Sequence, residues 1–215
     1  MVHEIGKTNS VLNHFINEIR NVEVQNDRMR FRKNMERISE ILAYEMSKNL
    51  SYSPVSIQTP LGISNSVQVS DNIVIASILR AGLSMHEGVL NFFDKAENAF
   101  ISAYREESDD NKEVKVIVEY LAAPSIENKT LVLVDPMLAT GTSMILTLEA
   151  LKAKGAIKNL HVISAIASQT AVDRLEKELP TGTHLWIAAV DPELNDKSYI
   201  VPGLGDAGDL AYGTK

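Results

Sequence analysis

Thr130 to Leu151 reads TLVLVDPMLATGTSMILTLEAL. Leu131 to Val134 is an apolar, β-branched run that ends on an acid, Asp135. A turn of small and hydroxyl residues follows, Ala139-Thr140-Gly141-Thr142-Ser143, and then apolar positions at helical spacing, Ile145, Leu148 and Leu151. The pattern predicts a buried strand, a tight turn and the first turns of a helix. In an α/β fold that junction suits an anion, because the first N–H groups of a helix have no partner within it and the helix dipole adds positive potential.

The same alternation continues on both sides. Upstream, Ile73 to Leu79 is an uninterrupted apolar strand stopped by Arg80-Ala81-Gly82, Leu83 to Phe93 has helical texture, and Ala99 to Tyr104 is a short strand ending at Arg105. Downstream, Gly155 stands where a helix cap belongs, His161 to Ala167 and His184 to Val190 read as strands, and Ala171 to Leu179 is a helix stopped by Pro180. Buried strands alternating with helices specify a parallel-sheet α/β fold, whose ligands gather at the carboxyl ends of the strands.

Residues 1 to 50 read as helical. Asn26 or Asp27 can cap a helix in which Phe31, Met35, Ile38, Leu42 and Met46 form an apolar stripe facing a core or a partner subunit. Arg28, Arg30 and Arg32 in its first turn read as a solvated basic face. From Ser53, the prolines, Gly62 and the alternating Val55, Ile57, Val67 and Val69 predict a small hairpin leading into the core. Glu106 to Lys115, polar and without aromatic residues, reads as a solvated, mobile excursion, with Val114 to Tyr120 as the returning strand of a flap.

At 215 residues and 45 % hydrophobic, the chain is sized for a single domain, 1–215, with a full core. A formal net charge of -7 argues against nucleic-acid binding that relies on bulk positive charge. The absence of cysteine removes disulfides, thiolate metal sites and cysteine nucleophiles together. No apolar run approaches the ~18 residues that span a bilayer, and Met1 to Ser10 lacks the apolar core of a signal peptide, so the expected location is cytoplasmic, with no membrane partner. His3, His14, His86, His161 and His184 show no metal-ligand spacing and read as structural or surface residues.

Three constellations carry chemistry. Thr140 to Ser143 offers N–H groups and three hydroxyls to phosphate oxygens, and Gly141 lets the backbone come close. This turn has no Walker lysine and is no dinucleotide GxGxxG; taken alone it leaves phosphate binding open. Asp135 at the strand tip can accept from ribose hydroxyls or face a metal-bound phosphate, or merely cap the loop. Arg80 and Arg105, each at a strand end, would clamp a polyanion such as pyrophosphate if they share one sheet edge; singly, each reads as an ion-pair residue. The tail YIVPGLGDAGD, Tyr199 to Asp209, holds three glycines, Gly203, Gly205 and Gly208, where backbone groups can read the edge of a flat heterocycle.

Together these residues resemble the uracil phosphoribosyltransferases of the type I phosphoribosyltransferase fold. The likeness rests on Ile78-Leu79-Arg80-Ala81-Gly82, Tyr104-Arg105, Val134 to Gly141, Tyr199 to Asp209 and the closing Gly213-Thr214-Lys215, with Arg30-Phe31-Arg32 and Tyr44-Glu45 nearer the start. It spans nearly the whole chain. The resemblance implies an α/β, parallel-sheet, Rossmann-like fold with a small β flap or hood and an N-terminal helical segment. It implies transfer of ribose 5-phosphate from phosphoribosyl pyrophosphate (PRPP) to N1 of uracil, giving UMP and pyrophosphate in pyrimidine salvage.

The resemblance also assigns roles. PRPP would be bound by Arg80, Arg105, Asp135, Pro136, Met137, Leu138, Ala139, Thr140, Gly141, Thr142, Ser143 and Asp206, and uracil by Tyr199, Ile200, Gly205, Asp206 and Ala207. Asp206, Arg105 and Arg80 would be catalytic, with Mg²⁺ carried mainly by PRPP and no metal site of the protein's own. A homodimer or higher homo-oligomer and a purine-nucleotide activator are further implications. The chain departs from the family at Thr142, where many members carry glycine. It also has Pro136 after Asp135, where the broader fold has a second acid. An RNA-binding regulator on the same fold would need a basic face, which the net charge of -7 opposes. A paralogue without turnover is opposed by the intact Arg80, Arg105, Asp135 and Asp206.

Overall fold

A computed structural model describes residues 1–106 and 115–214, with the side chains of 103–118 outside the description. The elements are β1 (Val2–Glu4), α1 (Val11–Arg20), α2 (Arg28–Ser47), β2 (Tyr52–Thr59), β3 (Gly62–Val69), β4 (Ile73–Ile78), α3 (Leu83–Phe92), β5 (Glu97–Glu106), β6 (Lys115–Ala122), β7 (Thr130–Val134), β8 (Met137–Leu138), α4 (Thr142–Leu151), β9 (Asn159–Ser168), α5 (Gln169–Glu178), β10 (His184–Asp191), β11 (Glu193–Leu194), β12 (Ile200–Val201) and α6 (Ala207–Tyr212). The main sheet runs β1-β10-β9-β7-β4-β5-β6, with β8 added beside β9. Its pairs are parallel except β5 with β6. The excursion expected over Glu106 to Lys115 lies almost wholly outside the described residues, and β6 is the returning strand.

Neighbouring strands β4 and β7 lead the chain in opposite directions. From β4 it winds through α3 to β5; from β7 it winds through α4, β9 and α5 to β10. Their loops therefore part at the carboxyl edge and leave a crevice, the position where doubly wound sheets bind ligands.

Both faces of the sheet are covered, which is why the strands read as continuous apolar runs. Leu131, Leu133, Val74 and Ala76 pack beneath Met144, Leu148 and Leu175 of α4 and α5. Val132, Val134 and Ile75 belong to the opposite core with Leu12, Phe31, Met35, Met85 and Ala211. The α2 stripe, Phe31, Met35, Ile38, Leu42 and Met46, is fully buried in this chain's own core. Burial at that level contributes roughly 1.5–3 kcal/mol per side chain. Asp27 caps the helix, its Oδ1 accepting from the Arg30 N–H at 3.0 Å.

Two expectations need correction. The first residues are not helical: Val2–Glu4 is an edge strand pairing in parallel with Leu185 to Ile187. Three residues carry no period of their own, and only the distant partner strand selects the extended form. Of the arginines expected on a solvated basic face, Arg28 and Arg30 are exposed and Arg32 is half-buried. Arg30 pairs with Glu18, while Arg32 donates to the Ala211 carbonyl at 2.7 Å and lies over the Tyr212 ring, so α2 holds the C-terminal helix. The expected hairpin is present: β2 pairs antiparallel with β3 just ahead of the core strand β4, as a two-stranded sheet of its own that leaves Ile57, Leu61, Ile63 and Val67 exposed.

Candidate active site

A cleft of about 350 Å³ opens at the switch point between β4 and β7. One wall is Ala81 with Asp135, Pro136, Met137 and Ala139; the other is Lys197, Ser198, Tyr199 and Gly205 to Gly208. A cup of about 70 Å³ adjoins it, shaped by Asp135 and by Met137 to Met144. Asp135 lines both hollows and so stands at their junction. A larger hollow of about 670 Å³ lies at the opposite sheet edge, around Asn72, Phe93 and Lys129, and contains none of the residues expected to act.

The cup is built by the turn that precedes α4. Gly141 has φ +75°, and a Cβ there would come within 3.1 Å of Leu175, so both conformation and space favour glycine. Gly141 offers no side-chain cap to the first amides of α4, and the Thr142 N–H makes only a long contact with the Thr140 hydroxyl at 3.4 Å, so these amides suit an anion. The Thr140 hydroxyl donates to the Thr142 hydroxyl at 3.0 Å, and the Ser168 hydroxyl, at the start of α5, donates to the Ala139 carbonyl at 2.6 Å. The Thr142 hydroxyl also accepts from Arg174 Nη1 at 2.8 Å. Burial pushes the Asp135 carboxyl up to about 7, opposed only weakly by the Met137 N–H at 3.5 Å. Without a ligand it is half protonated near neutral pH.

The facing wall is a braced loop. Asn195 Oδ1 accepts from the N–H groups of both Lys197 and Tyr199, which shapes the turn carrying Lys197, Ser198 and Tyr199 onto the cleft. Gly203 has φ +57°, and a Cβ there would lie 2.1 Å from the Ile200 carbonyl oxygen. Asp206 is exposed and caps α6, its Oδ1 accepting from the Asp209 N–H at 2.9 Å. Asp209 in turn accepts from Arg80 Nη2 at 2.7 Å, which joins the loop after β4 to the tail. Arg80 Nε is buried and has no partner among the described residues.

Arg80, the Asp135-to-Ser143 run, Tyr199, Gly205, Asp206 and Ala207 are thus brought to one edge of the sheet. Ile200 is buried and pairs with Leu194, beneath the cleft rather than on its wall. Arg105 is in β5 opposite Val116, and its side chain lies outside the description. Sequence reasoning missed Lys197 and Ser198, which have no motif of their own. It also missed Asp209 as the partner of Arg80, although the spacing of Asp206 and Asp209 in DAGD was a usable signal for a helix cap.

The family model described as uracil phosphoribosyltransferase matches residues 7–214. A uracil phosphoribosyltransferase of Porphyromonas gingivalis is 51 % identical over 214 residues, covering 100 % of this chain and 99 % of the relative. One from Methanothermobacter thermautotrophicus is 42 % identical over 185 residues, 85 % of this chain and 83 % of the relative. Among solved structures, the AQ2163 protein of Aquifex aeolicus superimposes with a TM-score of 0.86 at 29 % identity, covering 100 % of this chain and 99 % of that one. A hypoxanthine phosphoribosyltransferase of Staphylococcus aureus shares the fold at a TM-score of 0.51 and 16 % identity, over 87 % of this chain and 84 % of that one.

Proposed function

The chain belongs to the uracil phosphoribosyltransferase family, and from that premise we propose how its residues divide the work of moving ribose 5-phosphate from PRPP to N1 of uracil, giving UMP and pyrophosphate. The observation that carries the assignment is the pair of adjoining hollows sharing Asp135. A phosphate-sized cup beside a cleft walled by glycine backbone and a tyrosine suits a sugar phosphate at one end and a flat base at the other.

Thr140 to Ser143 hold the 5-phosphate, with Pro136 to Ala139 shaping the approach. Asp135 accepts from the ribose hydroxyls, and the ionised carboxylate this needs becomes favourable once donors replace its apolar surroundings. Arg80 and Arg105 take the pyrophosphate. Backbone groups of Ile200 and Gly205 read the uracil edge beside Tyr199 and Ala207. As pyrophosphate departs, C1 of the ribose gains oxocarbenium character, so rate comes from alignment and from stabilising the leaving charge. Asp206 sits at N1, where its carboxylate assists loss of the proton.

Magnesium would be carried mainly by the oxygens of PRPP, with Asp135 and Asp206 on the cleft lining beside it; among the described residues no group of three or more His, Asp or Glu side chains could hold a metal ion. When bound with PRPP, the ion would offset charge on the departing pyrophosphate.

One domain, 1–215, carries both halves of this site in the cytoplasm; no helix among the described residues is long and apolar enough to cross a membrane. The exposed apolar residues of β2 and β3 support a homodimer or higher homo-oligomer. A purine-nucleotide activator is the remaining implication of the family likeness.

Turnover of PRPP with a panel of pyrimidine and purine bases tests the reading. UMP should form with uracil and little product with purines; failure to convert uracil would overturn it.

A further inference from the structure

The phosphate turn is braced residue by residue from α5. Ser168 holds the Ala139 carbonyl, Leu175 packs where a Gly141 side chain would stand, and between them Arg174 reaches Thr140 and Thr142. Arg174 Nη1 donates to the Thr142 hydroxyl at 2.8 Å and to the Thr140 carbonyl at 3.2 Å. Its Nε donates to Glu178 at 2.7 Å, one turn further along the helix, which fixes the plane of the guanidinium.

The charge balance makes this arm significant. None of the residues that shape the cup, Asp135 and Met137 to Met144, is a lysine or arginine. A ribose 5-phosphate brings about two negative charges. Helix-terminal amides hold such a group better when a cation stands behind them, and Arg174 is the cation in contact with the turn.

We propose that Arg174 is a positioning residue of this enzyme: acting through the Thr142 hydroxyl and the Thr140 carbonyl, it sets the turn for the 5-phosphate and brings to a cup without lysine or arginine a guanidinium whose charge is partly offset by Glu178. The inference rests on the reading of Thr140 to Ser143 as the 5-phosphate cup. Arg174 is half-buried and pairs with Glu178 at the surface of α5, so denaturant unfolding of each variant is measured beside its ligand affinities.

The test compares ligands that differ by one phosphate. With Arg174→Gln, UMP affinity should fall about ten-fold and the KM for PRPP should rise to match, the scale of one charged hydrogen bond. Uridine affinity, the KM for uracil and kcat should stay within about two-fold, and Arg174→Lys should recover part of the UMP affinity by restoring charge without the planar fork. Because the guanidinium acts through Thr142, adding Thr142→Val to Arg174→Gln should cost less than Thr142→Val costs alone. Equal losses of UMP and uridine would reduce Arg174 to a structural brace and overturn the proposal. Thr140→Val separates the two readings. If it weakens UMP while Arg174→Gln does not, the inference about Arg174 fails and the cup stands; if neither variant moves UMP relative to uridine, the cup assignment itself is wrong.

Discussion

Arg20 and Asp191 form a bidentate pair, Nη1 and Nη2 each 2.8 Å from one carboxylate oxygen, and both partners also grip Gly203. Arg20 Nη1 donates to the Gly203 carbonyl at 3.0 Å and the Gly203 N–H donates to Asp191 Oδ2 at 2.9 Å. The Gly203 loop, proposed above to read the base, is thereby anchored to the end of α1 and to the end of β10. Removing one partner of a largely buried pair leaves the other unsatisfied, at a cost of about 3 kcal/mol. Asp191→Asn should lower unfolding stability by that order and raise the KM for uracil at least several-fold, while the KM for PRPP changes little. Denaturant unfolding and steady-state kinetics check both halves, and equal effects on the two substrates would refute loop anchoring.

Asp206 caps α6 through its carboxyl group and is also a lining residue of the cleft. Asparagine also caps helices well, so Asp206→Asn separates the roles: stability should be nearly unchanged, while turnover falls by roughly 100-fold, the scale of a lost acid–base contribution. Binding of UMP should persist. Unchanged turnover would remove Asp206 from the chemistry.

The features legible in the sequence are those whose cause is local. Leu131 to Asp135 and Ile73 to Arg80 announce buried strands that stop at charged tips, and Gly141 announces a turn, because each depends on neighbours a few positions away. The bracing was not legible. Arg20 and Asp191 are 171 positions apart, and Arg174 sits on an ordinary amphipathic helix whose spacing gives no sign of a loop beyond its end. Arg80 read as a pyrophosphate ligand, yet its hydrogen bond to Asp209 could be found only once the tail was folded back over β4. Val2 to Glu4 failed for the same reason, since strand β1 is defined by β10.

Asp135 makes function and stability oppose each other. Its carboxyl is pushed up to about 7 in the folded chain from 3.8 when unfolded, so the stability of the protonated form is complete below about pH 3.8 and is lost as pH rises through 7. Asp135→Asn removes that loss. The ligand-free variant should be more stable than the parent at pH 8, by up to about 4 kcal/mol, and nearly equal to it at pH 4. It should bind PRPP poorly at either pH. Denaturant curves at the two pH values decide it; a constant difference between the proteins would show that Asp135 titrates normally.

The buried histidines should contribute to acid unfolding of the protein. His161 is buried on β9, where burial first, and the nearby His184 second, push its imidazole down to about 4. Its Nδ1 accepts from Trp186 Nε1 at 3.1 Å, and Trp186 stacks at 3.9 Å on His3, whose Nε2 meets His184 Nδ1 at 2.9 Å. Burial also lowers His3, His184 and His86, the last held between Ser77 and Asn98. A depressed folded value means that the stability held by neutral His161 is complete above pH 6.5 and is lost as pH falls from 6.5 through 4. The whole loss from this residue is about 3 kcal/mol. In His161→Gln the amide oxygen can still accept from Trp186, but there is no imidazole to charge. That variant should lose less stability than the parent between pH 7.5 and pH 4.5, even if it starts lower. Parallel declines in the two proteins would show that the acid limb belongs to other groups.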